Sequence, residues 1–293
     1  MTIWLGYALG DMLLFGLAAV LAKSALKKNN TNLAAAIWNA VLLAFSVGMI
    51  RITASGQKLT GIGTHSWLFL ILSGIALGTA LISLFSALKQ GETIRVIPVY
   101  LFYYVFTMLG RMLVFHAGVS YNQILAMLLF VVATVLIAIQ NGGRRGGYNW
   151  MWLALLAALL TAVSTLLTEY GVHGVNHYVG LSVRLLVSLV ITAAVAAVAG
   201  KKSMRSMLFV EGMMICLSAV AFGARWICYS RSLAYGPDTY VMHMDRLSVI
   251  AVLIFGCIFR KEKMPLRGFI GYAVIVAGVF LALLQTPLLE LFV

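Results

Sequence analysis

Long apolar runs, broken at short intervals by clusters of polar residues, set the rhythm of this chain. The runs fall near 3–26, 33–54, 66–88, 94–116, 121–140, 149–170, 178–199, 207–232, 237–259 and 266–287. An α-helix needs about 20 apolar residues to cross a hydrocarbon core, so each run is long enough to be a spanning helix. The stretches between them carry turn chemistry: KKNNTN, SGQKLTGIGT, NGGRRGGYN, AGKKSMRS, YGPD and RKEKMP. Pro237, Pro265 and Pro287 mark boundaries, whereas Pro98 stands near the start of the fourth run. The pattern predicts an all-α integral membrane protein with ten transmembrane helices.

Composition agrees. With 62% hydrophobic and 10% charged residues and a mean hydropathy of +1.01, the chain has too little polar surface for a soluble globule. The first run lacks a basic leader, carries Asp11 and continues into AKSALKK, which predicts a retained helix rather than a cleaved export signal. Cys216, Cys228 and Cys257 are isolated in apolar runs with no CxxC or Cys/His spacing. They read as core thiols rather than metal ligands or disulfide partners, and nothing in the sequence calls for a cofactor.

The loop NGGRRGGYN divides the chain almost in half, giving a first unit at 1–140, a connection at 141–148 and a second unit at 149–293. An ungapped offset of 145 superimposes the two units. It pairs Gly78 with Gly223, Leu88 with Leu233, Gly91 with Gly236, Val96 with Val241 and Gln140 with Gln285. A duplicated unit of five helices must insert its second copy upside down, because five is odd. That is the inverted-repeat plan of many secondary transporters, which place their substrate near midplane between the halves.

The stretch SWLFLILSGIALG at 66–78, the SALKQG and RSLAYG ends of the third and eighth runs, and MDRLSV at 244–249 carry a resemblance. The chain resembles the EamA-type drug/metabolite transporters, and each half is similar to their small five-helix members, which carry a PIDKLSV-like stretch. The resemblance implies ten helices as two inverted five-helix repeats, with the third, fourth, eighth and ninth lining a central cavity. It says little about cargo. The first half departs from the pattern: its equivalent stretch reads VIPVYLFYYVF, so Tyr100 and Leu101 stand where the second half has Asp245 and Arg246. In a fused form of this kind the ion chemistry falls to the second half, and a monomer suffices.

Charge sets the orientation. With ten helices one face receives Lys23, Lys27, Lys28, Lys89, Arg95, Arg144, Arg145, Lys201, Lys202, Arg205, Arg260, Lys261, Lys263 and Arg267; the other receives Arg51, Lys58 and Arg231. Cytoplasmic loops are enriched in Lys and Arg, so both termini are expected outside the cytoplasm of a cell (plasma) membrane, such as a bacterial inner membrane. The resemblance implies the reverse, since ten-helix relatives keep their termini cytoplasmic; the charge count is preferred because it comes from this chain. Basic loops meeting anionic headgroups also account for the net charge of +13 without a nucleic-acid partner.

Arg111, Arg184, Arg225 and Arg246 remain within the apolar runs, with Asp11, Glu169, Glu211 and Asp245. A charge at the bilayer centre costs about 2.5–3.5 kcal/mol on insertion scales, so such groups face partners or a wet cavity. In YVMHMDRLSVI, Asp245 and Arg246 are adjacent and point about 100° apart on a helix, toward different neighbours. Arg225 and Tyr229 share a face of the eighth helix. Glu169 and Arg184 are expected to reach similar depth across a hairpin and to pair, Glu211 to stabilise a helix N-terminus, and Arg111 to extend to the headgroups. Tyr100, Tyr103 and Tyr104 share a face and are better cavity candidates than the phenylalanines beside them. The substrate-binding candidates are therefore Asp11, Tyr100, Tyr103, Tyr104, Arg184, Arg225, Tyr229, Asp245 and Arg246, and the proton-coupling candidates are Asp245, Asp11 and His243.

The chain carries no P-loop, GxSxG, HExxH or GxGxxG in a suitable context, which argues against an ATPase or a standard hydrolase. No repeated ring of filter residues suggests a channel, and no paired catalytic spacing suggests an intramembrane enzyme. The expectation is a secondary-active transporter, not an enzyme, that moves a small polar solute by alternating access. Three arginines against two aspartates favour a zwitterionic or anionic metabolite such as an amino acid. A flippase for a lipid headgroup or lipid-linked sugar, and an exporter of cationic drugs, are the alternatives.

Overall fold

The computed structural model describes residues 3–26, 31–52, 62–119, 121–138, 149–198, 209–236, 241 and 244–283. Eleven helices are found among the described residues: α1 (Ile3–Ala25), α2 (Thr31–Ile52), α3 (Thr64–Gln90), α4 (Thr93–Tyr100), α5 (Tyr103–Val114), α6 (Tyr121–Ala138), α7 (Asn149–Gly171), α8 (His177–Val198), α9 (Phe209–Tyr235), α10 (Ser248–Arg260) and α11 (Leu266–Leu283). A helix satisfies its own backbone polar groups, as a chain in hydrocarbon must. Eight spans are long and apolar enough to cross a membrane: α1, α2, α3, α4 with α5 as one span Thr93–Val114, and α6 to α9. The ninth and tenth expected runs give the shorter helices α10 and α11, and both runs extend into residues outside the described set.

Size and polarity, rather than hydrophobicity, separate inside from outside. The buried face of α1 is mostly small, with Ala8, Gly16, Ala18, Ala19, Ala22 and Ala25, while Leu128, Trp152, Val190, Ile258 and Phe269 point outward. Lipid tails are as apolar as leucine, so association favours close backbone approach between small residues and hydrogen bonds between hydroxyls. On α7 and α3, Ser164 and Ser73 lie 2.8 Å apart, Oγ to Oγ, with Thr168 Oγ1 2.9 Å from Ser73 Oγ.

The helices cross between the two halves of the sequence. Helix α1 packs along α9 and α3 along α7; α2 lies against α8, α6 against α11 and α4 against α10. Gly78 of α3 approaches Ser188 of α8 so closely that a Cβ would lie 3.1 Å from its carbonyl oxygen, and Gly223 of α9 approaches Phe45 of α2, where a Cβ would lie 2.8 Å from the ring.

The span α4–α5 kinks at Leu101–Phe102. Pro98 has no N–H to give to Ile94 O one turn back, and the Tyr272 hydroxyl of α11 donates to that carbonyl at 2.8 Å instead. Phe102 N then donates to Val99 O at 3.2 Å and Val105 N to Phe102 O at 3.0 Å. The same i to i+3 pattern recurs before α10, where Leu247 N donates to Met244 O at 2.9 Å and Ile250 N to Leu247 O at 2.8 Å. These positions are 145 residues apart.

At one end of the bundle side chains from one helix cap the ends of others. Lys23 Nζ donates to Leu88 O and, at 2.8 Å, to Gly91 O, which satisfies carbonyls left free at the end of α3. Lys261 takes a left-handed conformation (φ 52°) that ends α10. Glu262 follows it and accepts from Thr93 N at 3.1 Å and Ile94 N at 3.0 Å, which caps the first turn of α4.

Candidate functional site

Arg225 sits where α9 passes α1 and the helical turn at 244–246. Its Nε donates to Asp11 Oδ1 at 2.7 Å and its Nη2 donates to Asp245 Oδ1. The Tyr104 hydroxyl on α5 donates to the other oxygen of Asp245. All three charged residues are buried: Asp11 is 1% exposed, Asp245 7% and Arg225 9%. The guanidinium lies over two rings, 4.7 Å from the centroid of Phe15 and 5.2 Å from that of Phe222, and a ring face attracts a cation. A planar fork with several N–H groups can serve two carboxylates at once, which an ammonium does less well.

Two carboxylates on one guanidinium leave a formal charge of −1, and a second cation stands nearby: the guanidinium carbon of Arg246 lies 5.3 Å from the centre of the Tyr104 ring. Asp245 and Arg246, expected to face different neighbours, share one: Tyr104 donates its hydroxyl to Asp245 and offers its ring face to Arg246, while Asp245 alone also bonds Arg225. Tyr103 stacks on Tyr104 at 4.2 Å and meets Tyr100 at 5.5 Å, so the three tyrosines form a continuous column. Tyr229 lies one turn beyond Arg225 on α9. His243 lies outside the described residues.

A cavity of about 100 Å³ adjoins this cluster. Phe15, Trp38, Phe85, Phe222 and Trp226 supply aromatic faces, and Asn39, Thr161 and Ser218 supply polar atoms. Phe15 and Phe222 belong to both features, with one set of contacts on Arg225 and another on the cavity. Of the nine substrate-binding candidates, Tyr100 alone is among the residues that line this space; Tyr104 and Arg246 line a second, smaller pocket of about 20 Å³.

Two expectations change. Glu169 does not pair with Arg184: its partner is Arg111 at 2.9 Å, near the surface, so Arg111 has a protein counter-ion rather than a headgroup. Arg184 Nη2 instead donates to Ser164 Oγ at 2.9 Å, within the hydroxyl cluster of α3 and α7. The positive excess counted from sequence does not form at the cluster around Arg225: Arg225 alone bonds both acids, Arg246 lies over the Tyr104 ring beside them, and Arg184 is bonded elsewhere. Sequence reading tracked ionisable groups and so passed over Phe15, Trp38, Asn39, Phe222 and Trp226. The signal available was the pair Trp38–Asn39, an amide and an indole inside an apolar run.

The EamA-like transporter family model matches residues 148–284. An uncharacterized transporter in the cobO 3′ region of Sinorhizobium sp is 34% identical over 136 residues, which are 45% of this chain and 95% of that relative. An uncharacterized transporter of Archaeoglobus fulgidus is 25% identical over 215 residues, 69% of this chain and 70% of the relative. A solved structure, titled only as the crystal structure of a protein, superimposes with a TM-score of 0.70 over 97% of both chains at 17% identity, which speaks for the fold alone. Matches of this kind identify a multi-pass membrane transporter rather than an enzyme: the chain belongs to the EamA-like transporter family.

Proposed function

We propose that the protein is a secondary-active carrier of a small zwitterionic metabolite, of the amino-acid class, working by alternating access between two inverted five-helix halves at 1–140 and 149–293. The reciprocal packing supports this arrangement: α1 on α9 matches α3 on α7, as expected if the first helix of each half lies on the third of the other. The duplicated kink at a separation of 145 residues supports it too, as does a relative of about half this chain's length that is matched over 95% of itself. Fusion of the halves lets one chain act as a monomer in the plasma membrane.

The observation that carries the reading is Arg225 bridging Asp11 and Asp245, because that bridge ties the two halves together at a buried point beside an aromatic cavity. A solute entering there competes for these ions. Its ammonium suits a carboxylate, and its carboxylate suits Arg225 or Arg246. Since two acids balance two arginines, a net-neutral zwitterion fits better than an anion. A lipophilic cation would have to displace Arg225 from both acids.

Asp245 is the proton-coupling residue in this scheme; the groups that face it are Arg225, Asp11, Tyr104, Tyr103 and Arg246. The test is reconstitution into liposomes, with uptake of a mixed amino-acid pool followed as external pH is lowered. Asp245→Asn should abolish the pH dependence while the protein stays folded. Uptake in that variant with an unchanged pH profile would remove Asp245 from coupling, and no difference from empty liposomes for any zwitterion would overturn the substrate class.

A further inference from the structure

Arg184 on α8 carries a charge that no acid near it balances. Its Nη2 donates to Ser164 Oγ on α7 at 2.9 Å, and among the described residues no carboxylate lies within ion-pair distance of it. Other arginines have theirs: Asp11 and Asp245 hold Arg225, Glu169 holds Arg111, Glu92 holds Arg95 and Glu262 faces Arg260. Nor does Arg184 lie over a ring, as Arg246 does. A guanidinium has five N–H hydrogens and accepts nothing, so one bond to Ser164 leaves most of it unserved. Nε is enclosed and has no partner, whereas Nη1, also without a protein partner, stays within reach of a water-sized group. The side chain faces inward. Leu186 and Val190, 52% and 60% exposed, mark the lipid side of α8, while Leu181, Leu185 and Ser188 on the face of Arg184 are buried. The backbone of Arg184 is seated on α3, where a Cβ on Gly74 would lie 2.8 Å from Arg184 O. From there the side chain crosses to Ser164, which is buried against Ser73 of α3. Leu185, the next residue, lines the cavity, as do Thr161 and Leu77, one turn from Ser164 and Ser73. Arg184 therefore stands at the edge of that cavity.

We infer that Arg184 is an anion-binding residue at the edge of the cavity, and that it takes a carboxylate on its open Nη1 side. A charge inside a bilayer is costly unless a partner or a wet space meets it, and a hydroxyl such as that of Ser164 supplies no opposite charge. A neutral side chain serves at the corresponding position of the first half: the offset of 145 pairs Arg184 with Asn39, whose amide bonds Ser188 and Thr192 of α8. The charge at 184 thus adds something that helix packing at this place does not require. A planar guanidinium matches the two oxygens of a carboxylate better than it matches a spherical halide. The inference rests on the transport reading only in taking that carboxylate as the cargo's: Arg225 is already shared between two acids, and Arg184 is paired with none.

Acetate, chloride and acetamide separate charge from shape: chloride is an anion without the two planar oxygens, and acetamide has the shape of acetate without its charge. Thermal unfolding of the full chain in detergent is followed in each, with the two sodium salts at equal ionic strength. At saturation acetate should raise the wild-type midpoint by about 2–5 °C more than chloride does, and acetamide should leave it in place. Arg184→Gln should respond to acetate and chloride alike. If Arg184→Gln does not fold, Arg184→Lys, which keeps the charge without the fork, takes its place and should retain about half the preference or less. Equal midpoints in the two salts for the wild type, a preference that survives Arg184→Gln, or one kept in full by Arg184→Lys would each overturn the inference. Glycine ties the site to the cargo: it should stabilise as acetate does, and a site that takes acetate but not glycine would overturn that link. Amino-acid uptake in liposomes is measured separately: uptake without an acetate preference removes this inference and leaves the transport reading, and a preference without uptake does the reverse.

Discussion

Arg225 Nε lies 2.7 Å from Asp11 Oδ1 across 214 positions of sequence, and the same guanidinium holds Asp245. Removing it strands two buried carboxylates. Arg225→Ala should lower stability by about 3–5 kcal/mol, as breaking a buried ionic group does, and Arg225→Lys should recover only part of that. Replacing all three ions together, with Asp11→Asn, Arg225→Met and Asp245→Asn, should restore most of the stability but no transport. Thermal unfolding in detergent reads the first effect and liposome uptake the second. An unchanged midpoint for Arg225→Ala would mean that the bridge holds nothing together.

Glu262 caps α4 across 169 positions of sequence through the N–H groups of Thr93 and Ile94. Loss of such a cap costs about 0.5–2 kcal/mol, and the negative charge also favours the positive end of the helix. Glu262→Ala should therefore destabilise by about that amount, while Glu262→Gln, whose amide oxygen still accepts, should lose less. Chemical denaturation midpoints of the two variants check the order; a Gln variant worse than the Ala variant would contradict the cap.

Two glycines in neighbouring helices should respond in opposite ways to the same change. At Gly16 a Cβ would stand 2.7 Å from the backbone carbon of Ala251, so α1 and α10 would have to part; Gly16→Ala should cost about 1–3 kcal/mol. At Gly48 nothing lies within 4 Å, and Gly48→Ala should gain up to about 1 kcal/mol from helix propensity. Unfolding of the two variants side by side decides it, and a Gly16→Ala protein as stable as wild type would show that the close contact is dispensable.

Orientation is open to a direct measurement. Lys23, the end of α3 and Glu262 meet at one end of the bundle, together with Lys89, Arg95, Arg260 and Lys261, which makes this the basic face. From the enrichment of Lys and Arg in cytoplasmic loops, that face is expected in the cytoplasm and both termini outside. Alkaline phosphatase fused to the C-terminus should be active, and a fluorescent protein fused there should be dark. The opposite pair of results would invert the orientation.

Where the helices run was legible in the sequence. Length and apolarity are local properties, and in a bilayer every spanning segment must satisfy its backbone internally, so α1, α2, α3 and α7 begin and end within a few residues of the apolar runs that predict them. Gly91 closes α3 and Gly236 follows α9, each donating its N–H to the carbonyl four residues back. How each helix is rotated was not legible. A helix that is apolar all round carries no stripe to say which side meets protein and which meets lipid, so inward faces are chosen by close fits such as Gly16 on Ala251 and by hydroxyl bonds such as Ser73 to Ser164. That is why proximity along a hairpin wrongly pairs Glu169 with Arg184, when Arg111, 58 positions away, reaches it. It is also why Asn39, a polar residue in an apolar run, finds Ser188 and Thr192 only once α2 and α8 have packed.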